Sequence, residues 1–237
     1  TSTGLFQMID IVCLKWGTKY SAEYVNCLYA GIKRNTTVDF RFHCFTEDST
    51  DIDPGVVIQP LPDLHLDGWW NKLYLFSEQL PFEPDAPILY FDLDTLIVNN
   101  IDHILQHPVK QCVALTNWTT ARCEINSSIM MWRHGVMNHV WTQFIHNPQG
   151  AIRTTTDGDQ EYTARYLPAD TEYFQTLFPN QLFSYKQSCR NGLPESAHIV
   201  CYHGTPSIEQ SFRKRIYNHD GVWEPQQWPI QYWRTDG

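Results

Sequence analysis

Seven cysteines stand in this 237-residue chain, at 13, 27, 44, 112, 123, 189 and 201, without one Cys-x-x-Cys spacing. An odd count with no framework favours a reducing compartment. Cys13, Cys44, Cys112 and Cys201 lie inside apolar runs, where a free thiol behaves as a small hydrophobe. No signal peptide and no run of 18 apolar residues is present, so no segment reads as membrane-spanning. Basic residues are also scarce: 17 Lys and Arg face 26 Asp and Glu, a formal charge of −9. Binding to nucleic acid or to an acidic membrane as the main activity is thereby excluded, although peripheral membrane contact stays open. There is no internal repeat and no low-complexity tract. The expected location is cytoplasmic; a lumenal, Golgi-type location would follow if an N-terminal anchor precedes the chain. Asn-x-Ser/Thr triplets at Asn35, Asn117 and Asn126 are weak support for the second.

What is present is an ordinary globular balance, 42% apolar and 18% charged, with 14% aromatic residues and nine Trp. One stretch organises the rest. Ile88 to Phe91 has the length and aromatic content of a buried strand, and it runs directly into Asp92-Leu93-Asp94. Two carboxylates cannot be buried there without partners, so the strand must leave the core at this point. Residues two apart on an extended segment point the same way. Such a pair suits a hard divalent cation, Mg²⁺ or Mn²⁺, and open α/β sheets bind ligands at these strand ends. The competing reading is a strand-end turn. Two other Asp-x-Asp triplets read differently. Asp51/Asp53 lies in a polar turn, and Asp157/Asp159 in a loop entering a helix, where an acidic N-cap is the plain account.

Along the chain, Ile9 to Leu14 is a strand, and a helix with Ser21 as N-cap carries Tyr24, Val25, Leu28, Tyr29 and Ile32 at helical spacing. Phe40, Phe42 and Cys44 alternate as a second strand, giving a β-α-β start. No Gly-x-Gly-x-x-Gly follows the first strand, which removes the main support for dinucleotide binding. Residues 49–67 read as loop. Gly68 to Phe76 opens a helix with Trp69, Leu73, Phe76 and Leu80 on one stripe. Further strands are expected at 112–115, 125–132, 182–185 and 199–203, with helices around Val136–Ile145 and Asp159–Tyr166. The whole is one α/β domain over 1–237, with a core at about 9–210 and an aromatic and basic tail at 211–237. Its sheet is mixed, mostly parallel and flanked by helices.

Lys72, Asp92/Asp94, Asp159/Gln160 and His203 all stand at strand or helix ends. In that order they resemble the retaining glycosyltransferases of the GT-A (Rossmann-like) fold, most closely the group of glycogenin and the bacterial lipopolysaccharide galactosyltransferases, known as glycosyltransferase family 8. The resemblance rests on Asn71-Lys72-Leu73, Tyr90-Phe91-Asp92-Leu93-Asp94-Thr95, Ile125-Asn126-Ser127-Ser128-Ile129, Asp159-Gln160 and Tyr202-His203-Gly204. It implies a metal-dependent transferase that moves a sugar from a UDP-sugar donor to a carbohydrate or other hydroxyl acceptor with retention. It further implies that Asp92, Asp94 and His203 hold Mn²⁺ or Mg²⁺. Lys72, Asp159 and Gln160 would serve catalysis, and Asn126, Trp16, Tyr20 and Gly204 the donor.

Each assignment has a plainer rival: a surface lysine at 72, a capped helix start at 159–160, a strand-end Asn126, a structural His203, and core packing for Trp16 and Tyr20. Trp69 and Trp70 are candidate acceptor platforms. The chain departs from the family twice. Cys201 stands where the family has its usual His, and Ser207 where it has a diphosphate-binding Lys, so either Lys186, Arg213 or Lys214 substitutes for it or diphosphate is bound more weakly. Two rivals come from other classes. A sugar-phosphate nucleotidyltransferase wants a Gly-rich, Arg-containing loop that Lys15-Trp16-Gly17-Thr18-Lys19 does not supply. A carbohydrate-binding module would bind sugar without nucleotide.

Overall fold

The structure, a computed structural model, describes residues 8–119, 123–218 and 221–236. Its frame is a seven-stranded sheet in the order β3-β2-β1-β4-β7-β6-β8. These strands are β1 (Ile9–Lys15), β2 (Phe40–Thr46), β3 (Val57–Pro60), β4 (Pro87–Phe91), β6 (Cys112–Thr116), β7 (Ile125–Arg133) and β8 (Glu172–Tyr173). Only β7 is reversed, pairing antiparallel with both β4 and β6. A second sheet joins β5 (Thr95–Ile97), β10 (Ile199–Cys201) and β9 (Leu182–Ser184), and β11 (Ile216–Asn218) and β12 (Gly221–Trp223) form a hairpin. The helices are α1 (Ala22–Arg34), α2 (Asp102–Leu105), α3 (Asn138–His146), α4 (Pro148–Thr154), α5 (Gly158–Ala164), α6 (Phe174–Leu177), α7 (Tyr185–Ser188), α8 (Ile208–Arg213) and α9 (Trp228–Tyr232). None among the described residues is long and apolar enough to cross a membrane.

The central strands are apolar on both faces because both faces are covered. Ile11 and Cys13 of β1, Leu89 and Phe91 of β4, and Ile129 and Met131 of β7 pack with α1 and the second sheet. Their neighbours Val12, Leu14, Ile88, Tyr90, Met130 and Trp132 pack on the other face with α3 and Tyr162 of α5. All seven cysteines are buried and free.

Three expectations need correction. The stretch read as loop at 49–67 contains β3, whose Val57 and Ile58 remain exposed on a sheet edge, so no alternation marks it in the sequence. Gly68–Phe76 is a 3₁₀ helix, and its buried stripe is Trp70, Leu73 and Phe76 at a spacing of three. Trp69, assigned to that stripe, is instead 52% exposed. The last strand ends at Cys201, two residues short of His203.

At the end of the sheet away from Asp92, Asp10 is buried and accepts two hydrogen bonds from Arg41, at 2.7 and 2.8 Å. His43 Nε2 donates a third at 2.9 Å, while Gln59 donates to His43 Nδ1 at 3.2 Å, which fixes the tautomer. Burial alone would raise the Asp10 carboxyl, but His43 and Arg41 outweigh it and hold the pKa below its usual value. Asp10→Ala should therefore cost about 3 kcal/mol in urea unfolding at pH 7. Because the folded pKa is depressed, that difference should be complete above about pH 4 and vanish as pH falls through the folded value. A difference under 1 kcal/mol, or one that grows on acidification, would refute this.

Candidate active site

Strand β4 delivers Asp92 and Asp94 to the floor of a cavity of about 400 Å³. Trp16, Lys19, Tyr20, Trp69, Lys72, Asn126, Asp159, Gln160, His203 and Gly204 line it as well. Every residue that the sequence assigned to metal, donor or catalysis thus reaches one space; of the two candidate acceptor platforms Trp69 does and Trp70 does not. That ring is buried and stacked on Phe144 at 5.5 Å and 7°, a packing role and not a platform.

The inner wall is a closed polar network. Lys72 Nζ lies 3.0 Å from Asp92 Oδ1 and 3.3 Å from Asp159 Oδ2. It also donates to Ser127 Oγ at 3.0 Å, and that hydroxyl donates to Asp159 Oδ2 at 2.8 Å. Tyr90 donates to Asp92 Oδ1, and Tyr20 to Asp94 Oδ2 at 2.7 Å. Burial works against the Lys72 ammonium, yet Asp159 and Asp92 together raise its pKa above the usual lysine value. Burial raises the Asp159 carboxyl despite Lys72 and Ser127. Asp94 is pushed up to about 7 by burial and by the charge of Asp92. Burial and the adjacent carboxylates likewise raise both tyrosines, so each hydroxyl keeps its proton and donates.

Local backbone explains how these groups meet. β7 is out of step with β6: Ala114 pairs with Met130 but Leu115 with Asn126, so residues 127–129 bulge from that ladder. Within the bulge Asn126 Oδ1 accepts from Ser128 N at 2.9 Å, and Ser128 O accepts from Asp92 N at 2.8 Å. The bulge sets Ser127 Oγ against Lys72 and leaves the Asn126 Nδ2 donors without a partner among the described residues. Asp159 is buried and fills the gap between Lys72 and Ser127, so it is no solvated cap. Asp51/Asp53 is a surface turn as expected, with Asp53 Oδ1 accepting from Gly55 N at 2.7 Å.

His203 stacks on Trp118 with ring centroids 5.9 Å apart, and its Nε2 is 2.7 Å from Ser184 Oγ. Burial and then Lys186 lower its pKa to about 4, against Asp92, so the imidazole is neutral at pH 7. Cys201 is fully buried in the core. As the side chains stand, no three His, Cys, Asp or Glu residues among those described converge closely enough to hold a metal ion. Ser207 is occupied as a helix cap, in a capping box with Gln210. Of the three cations that could stand in for a lysine there, Lys186 has its Nζ beside Gly204, which lines the cavity. Gly204 (φ +78) leaves it room, since a Cβ at 204 would come 3.1 Å from Lys186 Nζ. Arg213 lies over the ring of Phe212, and Lys214 is exposed.

Read from the sequence, Tyr90 and Ser127 had no role, being quoted only as neighbours of Asp92 and Asn126, and Trp118 and Ser184 were not singled out. Only Tyr90 had a signal: it precedes Asp92 by two on an extended segment and so shares its side.

No family model and no curated protein matches the chain. Solved structures do. The glycosyltransferase GlyE of Streptococcus pneumoniae TIGR4 superposes with a TM-score of 0.68 at 11% identity, over 95% of this chain and 59% of that one. This chain therefore spans well under two thirds of GlyE. The galactosyltransferase LgtC, in complex with donor and acceptor sugar analogues, gives 0.62 at 12% identity, over 94% of this chain and 93% of its own. An active-site mutant of LgtC gives 0.60 at 11%. With its single reversed strand in a mostly parallel sheet, the chain has the glycosyltransferase fold shared by GlyE and LgtC, a GT-A-type α/β fold.

Proposed function

We propose that this protein transfers a sugar from a nucleotide-sugar donor, a UDP-sugar, to a hydroxyl of a carbohydrate or other acceptor, with retention of configuration. The observation that carries this reading is the joining of Lys72, Asp92 and Asp159 at the end of β4 beside Asp94, in a fold shared with glycosyltransferases.

Charge supports a divalent cation at the site. Asp92, Asp94, Asp157 and Asp159 line the cavity against Lys19 and Lys72. With all four carboxylates ionised, the lining would repel a diphosphate unless further positive charge accompanied it. Asp92 Oδ2 and Asp94 Oδ1 have no protein partner among the described residues, and burial first, then the charge of Asp92, raises the Asp94 pKa. Asp92 and Asp94 would hold Mn²⁺ or Mg²⁺, and His203, neutral and with Nδ1 unengaged among the described residues, would be the third protein ligand. When bound, the cation would offset the charge that develops on the departing diphosphate.

The chain's own groups do the rest. Lys72 is a fixed ammonium on the inner wall, and Lys186 adds a further cation beside Gly204. Asp159 and the Asn126 amide would bind hydroxyls of the donor sugar. Tyr20 orients Asp94 and, with Trp16, borders the nucleoside. Gln160 faces the cavity with an amide, which cannot act as a base or an effective nucleophile. Glu161 is also unsuitable: it accepts from Thr156 N and Asp157 N at 2.6 and 3.0 Å and pairs with Arg165. The Asp157 amide first, with Arg165, holds its pKa down to about 2. Asp157 also lines the cavity but takes no part as base in this reading; the acceptor oxygen then bonds to the anomeric carbon on the face from which diphosphate leaves. The acceptor proton passes to the departing diphosphate oxygen.

Calorimetry with UDP tests the reading. Binding should strengthen at least about tenfold when Mn²⁺ is added; no UDP binding with or without metal would dismiss it. Proton NMR of the first product from an α-linked donor should show an α-glycoside. A β-glycoside would mean inversion and would point to Asp157 as the base.

A further inference from the structure

The C-terminal segment, which the sequence presents as a tail, reaches the site through a line of aromatic rings. Trp233, just beyond α9, is buried and packs edge-on against Tyr24 in the first turn of α1, with ring centroids 4.5 Å apart. The Tyr24 ring lies 4.7 Å from that of Tyr20. The Tyr20 hydroxyl donates to Asp94 Oδ2 at 2.7 Å, so the line ends on a carboxylate proposed to hold the cation. The backbone of Asp94 is held separately, its carbonyl accepting from Tyr202 N at 2.9 Å. What Tyr20 governs is therefore the direction of the carboxylate.

On another side, Tyr20 and Tyr24 border a cavity of about 450 Å³ that Asp94 also lines. Both rings have room to turn there, and Trp233 is the large ring packed against Tyr24. Arg34, the last residue of α1, fastens the segment that carries Trp233. Its Nη2 donates to Tyr232 O at 3.0 Å, and its Nη1 donates to Arg234 O at 3.2 Å and to Asp236 O. One helix thus meets the segment at both ends, about 15 Å apart by the helical rise.

Resting on the transfer reading above, we infer that Trp233 and Tyr24 are positioning residues that hold Tyr20 where its hydroxyl orients Asp94 toward the cation. Residues 228–236 then belong to the catalytic unit and are no appendage of it. Hydrogen-bonded partners of a metal-binding carboxylate set its affinity for metal, and a merely structural tryptophan would change stability alone.

The test uses the full chain with saturating UDP, titrated with Mn²⁺ and read by the electron spin resonance of the free ion. Tyr20→Phe should weaken Mn²⁺ binding about tenfold. Trp233→Ala should weaken it about threefold to tenfold, whereas Trp233→Phe, which keeps a ring against Tyr24, should stay within about twofold of wild type. Added to Tyr20→Phe, Trp233→Ala should cost less than about twofold more, because the line is already cut beyond it. Tyr29→Ala, on the same helix but stacked on Phe42 of β2, should leave Mn²⁺ affinity within about twofold. Should Trp233→Ala fail to fold, Tyr24→Leu breaks the line with an apolar side chain and carries the same expectation. The inference is overturned if the folded variant binds Mn²⁺ as wild type does, if its effect persists in full beside Tyr20→Phe, or if Tyr29→Ala costs as much. Wild-type protein that binds neither UDP nor Mn²⁺ would remove the transfer reading and this inference with it, so the two failures are distinct.

Discussion

Asp94→Ala should lower turnover on a UDP-sugar by about 100-fold or more, because it removes half of the carboxylate pair proposed to hold the cation. The same change should not destabilise the metal-free protein. Asp94 is crowded by Asp92 and partly desolvated, and its pKa of about 7 lies above the unfolded value. The folded state therefore binds more protons than the unfolded one between about pH 4 and 7, so the residue's contribution to stability falls as pH rises through that window. In EDTA at pH 8 the alanine variant should be about 1 kcal/mol more stable than wild type, and at pH 4 the gain should be gone. Steady-state rates and urea unfolding at the two pH values check both halves. Undiminished turnover would remove the metal assignment, and a variant destabilised at pH 8 would refute the electrostatic account.

The second large effect concerns Lys72. Its ammonium lies between the carboxylates of Asp92 and Asp159, at 3.0 and 3.3 Å. Lys72→Met keeps the length and apolar stem but leaves two carboxylates facing one another, with Asp159 buried. The expected loss is about 3–5 kcal/mol, besides a fall in turnover of about 100-fold or more. Much of that loss is the cost of an uncompensated charge, and adding Asp159→Asn should recover about 1–3 kcal/mol. Stability should thus return in the double variant while activity does not. If the double variant is no more stable than Lys72→Met, the network is not the coupled unit described here.

These groups were legible in the sequence to different degrees. Asp92 and Asp94 announced themselves, because carboxylates at the end of an apolar run have to be where the strand leaves the core. Lys72, Asp159 and His203 had no such local signal and rested on order along the chain. Their meeting depends on contacts 20 to 111 residues away from Asp92, which neither periodicity nor capping rules encode. Ser127 was quoted only as a neighbour of Asn126 and given no role. A serine in a strand is unremarkable until a bulge turns it, and the bulge depends on how β7 pairs with β6. The 3₁₀ form of Gly68–Phe76 was hidden for a similar reason. Spacings of three and four alternate in an α-helical stripe, and a stretch of nine residues is too short to separate that from a strict three.

The bulge in β7 also bears on which length changes the gene can accept. Residues 127–129 absorb the mismatch between two stretches of ladder, one ending at Met130 and the other at Asn126. Strand faces alternate with every residue, so losing a single codon in this interval would invert the inner and outer sides of one stretch relative to the other. A substitution at Ser127 removes one hydroxyl, but a one-residue deletion beside it would redirect a segment of the strand and withdraw the Ser128 carbonyl from Asp92. Insertions and deletions should therefore be tolerated in the exposed turn at Asp51–Gly55 and excluded at 126–129, a contrast that a deletion scan can read without any assay of transfer.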